Sequence, residues 1–210
     1  VAGIAGNGQR ELFEAIAGLV KPSRGRIILG GEDVTRLPPR ERLRRGLSLI
    51  PEERLGWAVV PGKSILYNAS IPIASRNGAG ILIRGEWVRR VAVRVVESTG
   101  VKTASLGDPV DSLSGGNMQR LVVGRELLYR PRSLVAMNIT AGLDYRAASR
   151  VREMILDAAS RGSGILLIDE DLDLLTEVAD RIIVLSRGRV TGEFKPPYNI
   201  EDIAASMTLG

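Results

Sequence analysis

Short aliphatic or β-branched runs bounded by Gly, Asp or Pro recur along the chain, as VAGIAG from Val1, RIILG from Arg26, LSLI from Leu47, SLVAM from Ser133, GILLID from Gly164 and RIIVL from Arg181. Runs of this length and bounding are read as buried strands. Between them, apolar positions recur at helical spacing over Gln9 to Leu19, Pro39 to Arg45, Gly85 to Thr99, Asn117 to Arg130, Tyr145 to Arg161 and Asp171 to Asp180. Strand and helix alternate. That order predicts an α/β fold, a largely parallel sheet covered by helices, with ligands at the carboxyl ends of the strands. The alternation breaks from about Ile65 to Arg130, where no convincing strand separates the helices. Residues 65–130 are therefore read as a helical subdomain inserted into the α/β core. There is no internal repeat, and the linker-like stretch is RNGAG at Arg76 to Gly80.

Composition narrows the picture without deciding it. A chain of 210 residues with 44% hydrophobic content supports one domain with a substantial core. The net charge of +5 comes from scattered Arg, and the densest run, Arg40 to Arg45, is interrupted by Glu41 and Leu43, so it reads as a solvated helix face. Nucleic acid is not an expected partner. With neither Cys nor His, there is no disulfide framework, no thiolate metal site and no imidazole base, and no resident metal is assigned. No apolar run approaches the roughly 20 residues that span a bilayer. Val1 opens directly into strand-like sequence without a signal peptide, so residues 1–210 are read as one domain shortened on its N-terminal side. Trp57 and Trp87 are expected in the core.

The first candidate site is GIAGNGQREL, with Gly3, Gly6 and Gly8 between an apolar strand and an amphipathic helix. Glycines in this setting let backbone N–H groups converge on an anion, and the helix N-terminus adds partial positive charge. The spacing from Gly3 to Gly8 matches a phosphate loop, yet Gln9 stands where the pattern has Lys and Arg10 where it has Ser or Thr. Gln9 can hydrogen-bond a phosphate but brings no charge, and Arg10 cannot ligate Mg2+ as a hydroxyl does. Arg10 can instead pair with phosphate oxygens. Gly3, Gly6, Asn7, Gly8, Gln9, Arg10 and Glu11 are the candidate nucleotide-binding residues.

The second is LSGGNMQR, Leu113 to Arg120, at the start of a segment read as an amphipathic helix containing Leu121, Val122, Glu126 and Leu127. Ser114 is placed to cap it, and Gly115 and Gly116 leave N–H groups open for a second anion. Here the chain resembles the ABC ATPase family, whose LSGGQ signature is nearly identical to Leu113 to Gln119. SLVAMNITAGLD, Ser133 to Asp144, resembles the Walker B strand and D-loop, with Met137 at the family's Asp and Asn138 at its catalytic Glu. Glu170 stands at the switch His, and GLSLIPEERLG resembles the Q-loop region with Glu52 for Gln.

The resemblance implies an ATP-binding domain most similar to the C-terminal half of simple-sugar and nucleoside importers. The implied signature residues are Ser114, Gly115, Gly116, Asn117 and Gln119, with Asp144 in the D-loop. No residue is assigned as catalytic, because Met137, Asn138 and Glu170 replace the three that act. ATP would bind weakly or not at all to the isolated chain, and Mg2+ only at a site completed with a partner. Implied partners are a second ATP-binding domain in the same polypeptide, transmembrane permease subunits and, indirectly, an extracytoplasmic solute-binding protein. The implied location is the cytoplasmic face of the membrane. Three alternatives stay open. ILLIDE can be a true Walker B, making Asp169 and Glu170 catalytic; the chain can be a non-transport ABC protein; or it can be a module that has lost nucleotide.

Overall fold

The computed structural model of the chain describes residues 1–77 and 85–208. Its order is α1 (Gln9–Ala17), β1 (Ile28–Leu29), β2 (Glu32–Asp33), α2 (Pro39–Arg44), β3 (Leu47–Ile50), α3 (Ile65–Asn77), α4 (Gly85–Thr99), a 3-10 turn at Val110–Ser112, α5 (Gly115–Leu128), β4 (Ser133–Met137), α6 (Tyr145–Ser160), β5 (Gly164–Ile168), α7 (Leu172–Val178), β6 (Ile182–Ser186), β7 (Arg189–Phe194) and α8 (Ile200–Thr208). β3, β4 and β5 run parallel, with Leu49 opposite Val135 and Val135 opposite Leu166. The predicted first strand reduces to Ala2, which bridges Asp169 on one side and Val184 on the other. Val1 and Ala2 thus lie between β5 and β6, held by Asp169 N to Val1 O at 3.0 Å and Leu185 N to Ala2 O at 2.9 Å. Gly3 follows, where a β-carbon would sit 2.7 Å from the Leu185 carbonyl oxygen, so the close approach of β6 requires glycine.

Successive strand residues face opposite sides, so the sheet buries two apolar layers. Val135 and Met137 join Phe13 and Ala17 of α1 in one cluster. Leu134 and Ala136 join Leu121 and Val122 of α5, with Val151 and Ile155 of α6, in the other. Helix α5 is not amphipathic as expected; Met118, Gln119 and the run from Leu121 to Glu126 are all buried. It is enclosed because it packs on α4, α3, α6 and β3 together. Arg125 survives there by donating to the carbonyls of Ala58 and Asn68 and to Glu126 Oε1, the last at 3.2 Å.

Several other expectations are corrected. RIILG forms no buried strand; Ile28 and Leu29 pair antiparallel with Glu32 and Asp33 across Gly30 and Gly31, whose φ of 55° and 87° suit a two-residue hairpin turn. The Arg40 to Arg45 run is not wholly solvated, because Arg42 turns inward onto main-chain carbonyls at the end of α1. Trp57 is 42% exposed, beneath the Arg10 guanidinium at 5.2 Å, and Trp87 is also exposed, at the start of α4. Helices α3 and α8 and strand β7 were not anticipated. The Gly78 to Gly80 part of the linker-like stretch lies outside the described residues.

Candidate functional site

The loop before α1 is closed upon itself. Gln9 is 7% exposed and folds back, its Nε2 donating to the Ile4 carbonyl at 2.9 Å while its Oε1 accepts from the Asn7 N–H at 3.0 Å. An N–H that could meet an anion is therefore occupied by the chain's own carboxamide. Asn7 anchors the loop to the turn after β6, with Oδ1 accepting from Arg187 N at 2.7 Å and its carbonyl from Gly188 N at 2.9 Å. Gly8 has φ 105° and would place a β-carbon 3.2 Å from Gly188 Cα, so only glycine meets both demands. Arg10 does not reach into the loop. Its Nε donates to Glu14 Oε1 at 3.0 Å, and its guanidinium lies over Trp57.

Four separate segments meet in a cavity of about 190 Å³ beside this loop. Gly6, Gln9, Arg10 and Glu11 come from the loop and α1, Glu52 from the segment after β3, Met137 and Asn138 from the end of β4, and Asp169 and Glu170 from the end of β5. The structure thus brings together Gly6, Gln9, Arg10, Glu11, Glu52, Met137, Asn138, Asp169 and Glu170, which the sequence singled out, while the signature residues and Asp144 do not line this cavity. Met137 is buried against the apolar layer under α1. Asn138 adopts φ 45°, a conformation Asn tolerates, and its Nδ2 donates to Glu52 Oε1 at 2.8 Å. Asp169 is buried, with Oδ1 accepting from Asp171 N at 3.0 Å and Oδ2 without a partner. Burial raises its pKa, and the nearby Asp171 carboxylate pushes in the same direction. Four carboxylates, Glu11, Glu52, Asp169 and Glu170, line the cavity against one cation, Arg10. Among the described residues no group of acids is arranged to hold a metal ion.

The second loop is built differently. Ser114 has φ −60° and ψ 156° and caps α5, its Oγ accepting from Asn117 N at 3.4 Å and Asn117 Nδ2 at 3.0 Å. Gly115 is exposed and Gly116 half-buried, leaving the first turn open to solvent. Gln119, by contrast, points into the protein, with Nε2 donating to the Ile139 carbonyl at 2.8 Å. Asp144 caps α6 by accepting from Ala147 N at 2.8 Å, and Tyr145 beside it is 85% exposed. The PEER element belongs to the family resemblance but gives Arg54 no site role, yet the Arg54 guanidinium reaches both Gln119 and the Ala141 carbonyl. Its position in PEER carries no periodic signal that distinguishes it from a solvated arginine.

A parallel sheet covered by helices, with glycine-bearing helix N-termini opening beside its strands' carboxyl ends, is the build of a P-loop nucleotide-binding domain. The chain belongs to the ABC transporter family, whose model matches residues 1–140. It is 37% identical over 219 residues to the glucose import ATP-binding protein TsgD13 of Haloferax volcanii, covering 100% of this chain and 39% of that protein. It is 35% identical to the arabinose import ATP-binding protein AraG of Pseudomonas syringae pv. syringae, covering 91% of this chain and 38% of that protein. The ribose import ATP-binding protein RbsA 1 of Rubrobacter xylanophilus is also 35% identical, over 92% of this chain and 39% of its own length. The chain therefore spans less than half of each of these relatives. A dimeric ATP-binding cassette in a post-hydrolysis state bound to ADP and Pi shares the fold, with TM-score 0.79 at 23% identity, covering 92% of this chain and 83% of that one. Family members bind ATP with Mg2+.

Proposed function

We propose that this chain is the non-hydrolysing ATP-binding half of an importer for simple sugars or nucleosides, and that it donates its signature loop to the ATP site of a partner domain. The observation that carries the reading is the contrast between the two loops. The first is filled by Gln9 and faces an acidic cavity, whereas Ser114, Gly115 and Gly116 stand capped and open. A triphosphate with Mg2+ does not fit the first loop. Gln9 supplies no cation, no hydroxyl stands at Arg10, Met137 offers no ligand and Asn138 cannot polarise water. Like charges surround the position where phosphate would lie. Losing these parts together removes most electrostatic stabilisation of phosphoryl transfer, single parts being worth roughly 10²-fold or more.

The names of the relatives support the sugar part of this reading, since glucose, arabinose and ribose import appear in them. In this reading the second ATP-binding domain belongs to the same polypeptide. The helical region of residues 65–130 and the neighbouring core form the face for permease subunits, which hold the domain at the cytoplasmic side of the membrane. An apolar groove of about 230 Å³ lined by Leu19, Pro51, Trp57 and Pro72 suits that contact. The solute-binding protein is reached only through the permease. Asp169 and Glu170 as catalytic residues form the second reading, favoured by the unpartnered Asp169 Oδ2 in the same cavity.

The test is to titrate the chain with ATP and Mg2+, following affinity and phosphate release, alone and with the partner domain. The expected result is no release alone, and release with the partner that disappears on Ser114→Arg. Robust release from the chain alone, lost on Asp169→Asn, would assign the chemistry to Asp169 and Glu170 instead.

A further inference from the structure

Arg54 joins loops that the sequence keeps far apart. It lies two positions beyond Glu52 in the segment between β3 and α3, and its Nε donates to Gln119 Oε1 at 2.9 Å. Its Nη2 donates to the Ala141 carbonyl in the turn between β4 and α6. Gln119, in the second turn of α5, is 1% exposed and passes the connection on to the Ile139 carbonyl, so it ties α5 to the segment after β4. The two turns also lie close together. A β-carbon on Gly116 would lie 3.5 Å from the Gly142 carbonyl oxygen, and one on Gly115 would lie 3.5 Å from Arg54 Nη1. Glu52 ties the same segment to the end of β4 through Asn138. A planar guanidinium with two donors fixed on one edge can hold both acceptors at a set separation, whereas a lysine ammonium supplies a single point.

We propose that Arg54 is a positioning residue that locks the open turn Ser114 to Gly116 and the turn Gly142 to Asp144 into one rigid unit, so that both meet the partner's nucleotide in a single geometry. This rests on the reading that the chain donates its signature loop. Because Arg54 belongs to the Glu52 to Trp57 segment beside the apolar groove, the unit also answers to whatever fills that groove. Anion stabilisation by backbone N–H groups depends on their being held in place before the reaction, and a misplacement of about 1 Å can cost on the order of 10²-fold in rate. Nucleotide capture by the partner's own loop does not pass through Arg54, so turnover and half-saturation separate.

The experiment uses the complete two-domain polypeptide assembled with its permease, and compares wild type with Arg54→Lys, Gln119→Ala, the double variant and Ser114→Arg. With Arg54→Lys, kcat for ATP falls roughly 10-fold or more, KM stays within about 2-fold and thermal stability is unchanged. The double variant is no slower than the slower single one, the mark of two residues acting through one contact. Wild-type turnover in Arg54→Lys, additive losses in the double variant, or a turnover loss that tracks a fall in Tm would each overturn the proposal, provided Ser114→Arg abolishes hydrolysis. If Ser114→Arg leaves hydrolysis intact, the signature-donor reading itself fails, and Arg54 loses its role with it.

Discussion

Replacing Arg42 with Met removes a buried cation that no carboxylate accompanies, and the geometry shows what is left behind. Arg42 is 1% exposed. Its Nε donates to the Leu37 carbonyl at 2.9 Å, Nη1 to Ala15 at 2.6 Å and Ile16 at 2.8 Å, and Nη2 to Thr35 at 2.9 Å. Desolvation opposes this arrangement, lowering the arginine's pKa and costing several kcal/mol for a buried ion. Against it stand four charge-assisted hydrogen bonds of about 1.5–3 kcal/mol each, which outweigh that cost. Met keeps the length and apolar stem but no donor. The Ala15 carbonyl still accepts from Gly18 N, whereas those of Ile16, Thr35 and Leu37 lose the donor that meets them here. Each buried carbonyl left without a partner costs about 1–3 kcal/mol, while the desolvation term vanishes, so the net loss is about 3 kcal/mol. For a domain of this size that lowers Tm by roughly 6–12 °C. Calorimetry at neutral pH measures it, with Arg44→Met as a control, because Arg44 pairs with Glu41 at the surface and should shift little. A Tm for Arg42→Met within about 2 °C of wild type would refute the argument that these carbonyls depend on the guanidinium.

Two further outcomes test the core and the cavity. Glu126→Ala leaves Arg125 buried with the Ala58 and Asn68 carbonyls as its partners among the described residues, and should destabilise the chain by about 3 kcal/mol or more in urea unfolding; an unchanged midpoint would show the buried pair to be dispensable. Burial holds the Asp169 pKa above its ordinary 3.8, so the folded chain binds that proton more tightly than the unfolded chain. Stability from this group is therefore present below 3.8 and declines as pH rises through the raised folded value. Asp169→Asn keeps an acceptor for Asp171 N–H and removes the titration. Its Tm should gain on wild type as pH rises above 3.8, and parallel curves for the two proteins would contradict the raised pKa.

The sequence by itself determined the features that are local. Apolar runs and helical spacing located β3 to β6 and the helices α1, α2, α4, α6 and α7 to within a residue or two, since each element is defined by its own pattern of burial. The two glycine loops were legible for the same reason, as was the Ser114 cap, because turns and caps are made from neighbouring residues. Tertiary structure decided the rest. Ala2 is in a strand only because Asp169 and Val184 arrive on either side. The middle of α5, from Leu121 to Glu126, is buried on every side because other helices and β3 enclose it, and α3 runs through Pro72 despite the residue's poor fit to a helix. The fate of polar side chains was the least legible. Arg42 reads like its neighbours Arg44 and Arg45 until the carbonyls of α1 reach it, Gln9 reads as a phosphate ligand until it meets Asn7, and Arg54 has no assigned role until Gln119 and Ala141 come within range. A hydrogen-bonding group has no pattern of its own to follow. Its role is set by which donors and acceptors the fold delivers to it, and those come from elsewhere in the chain.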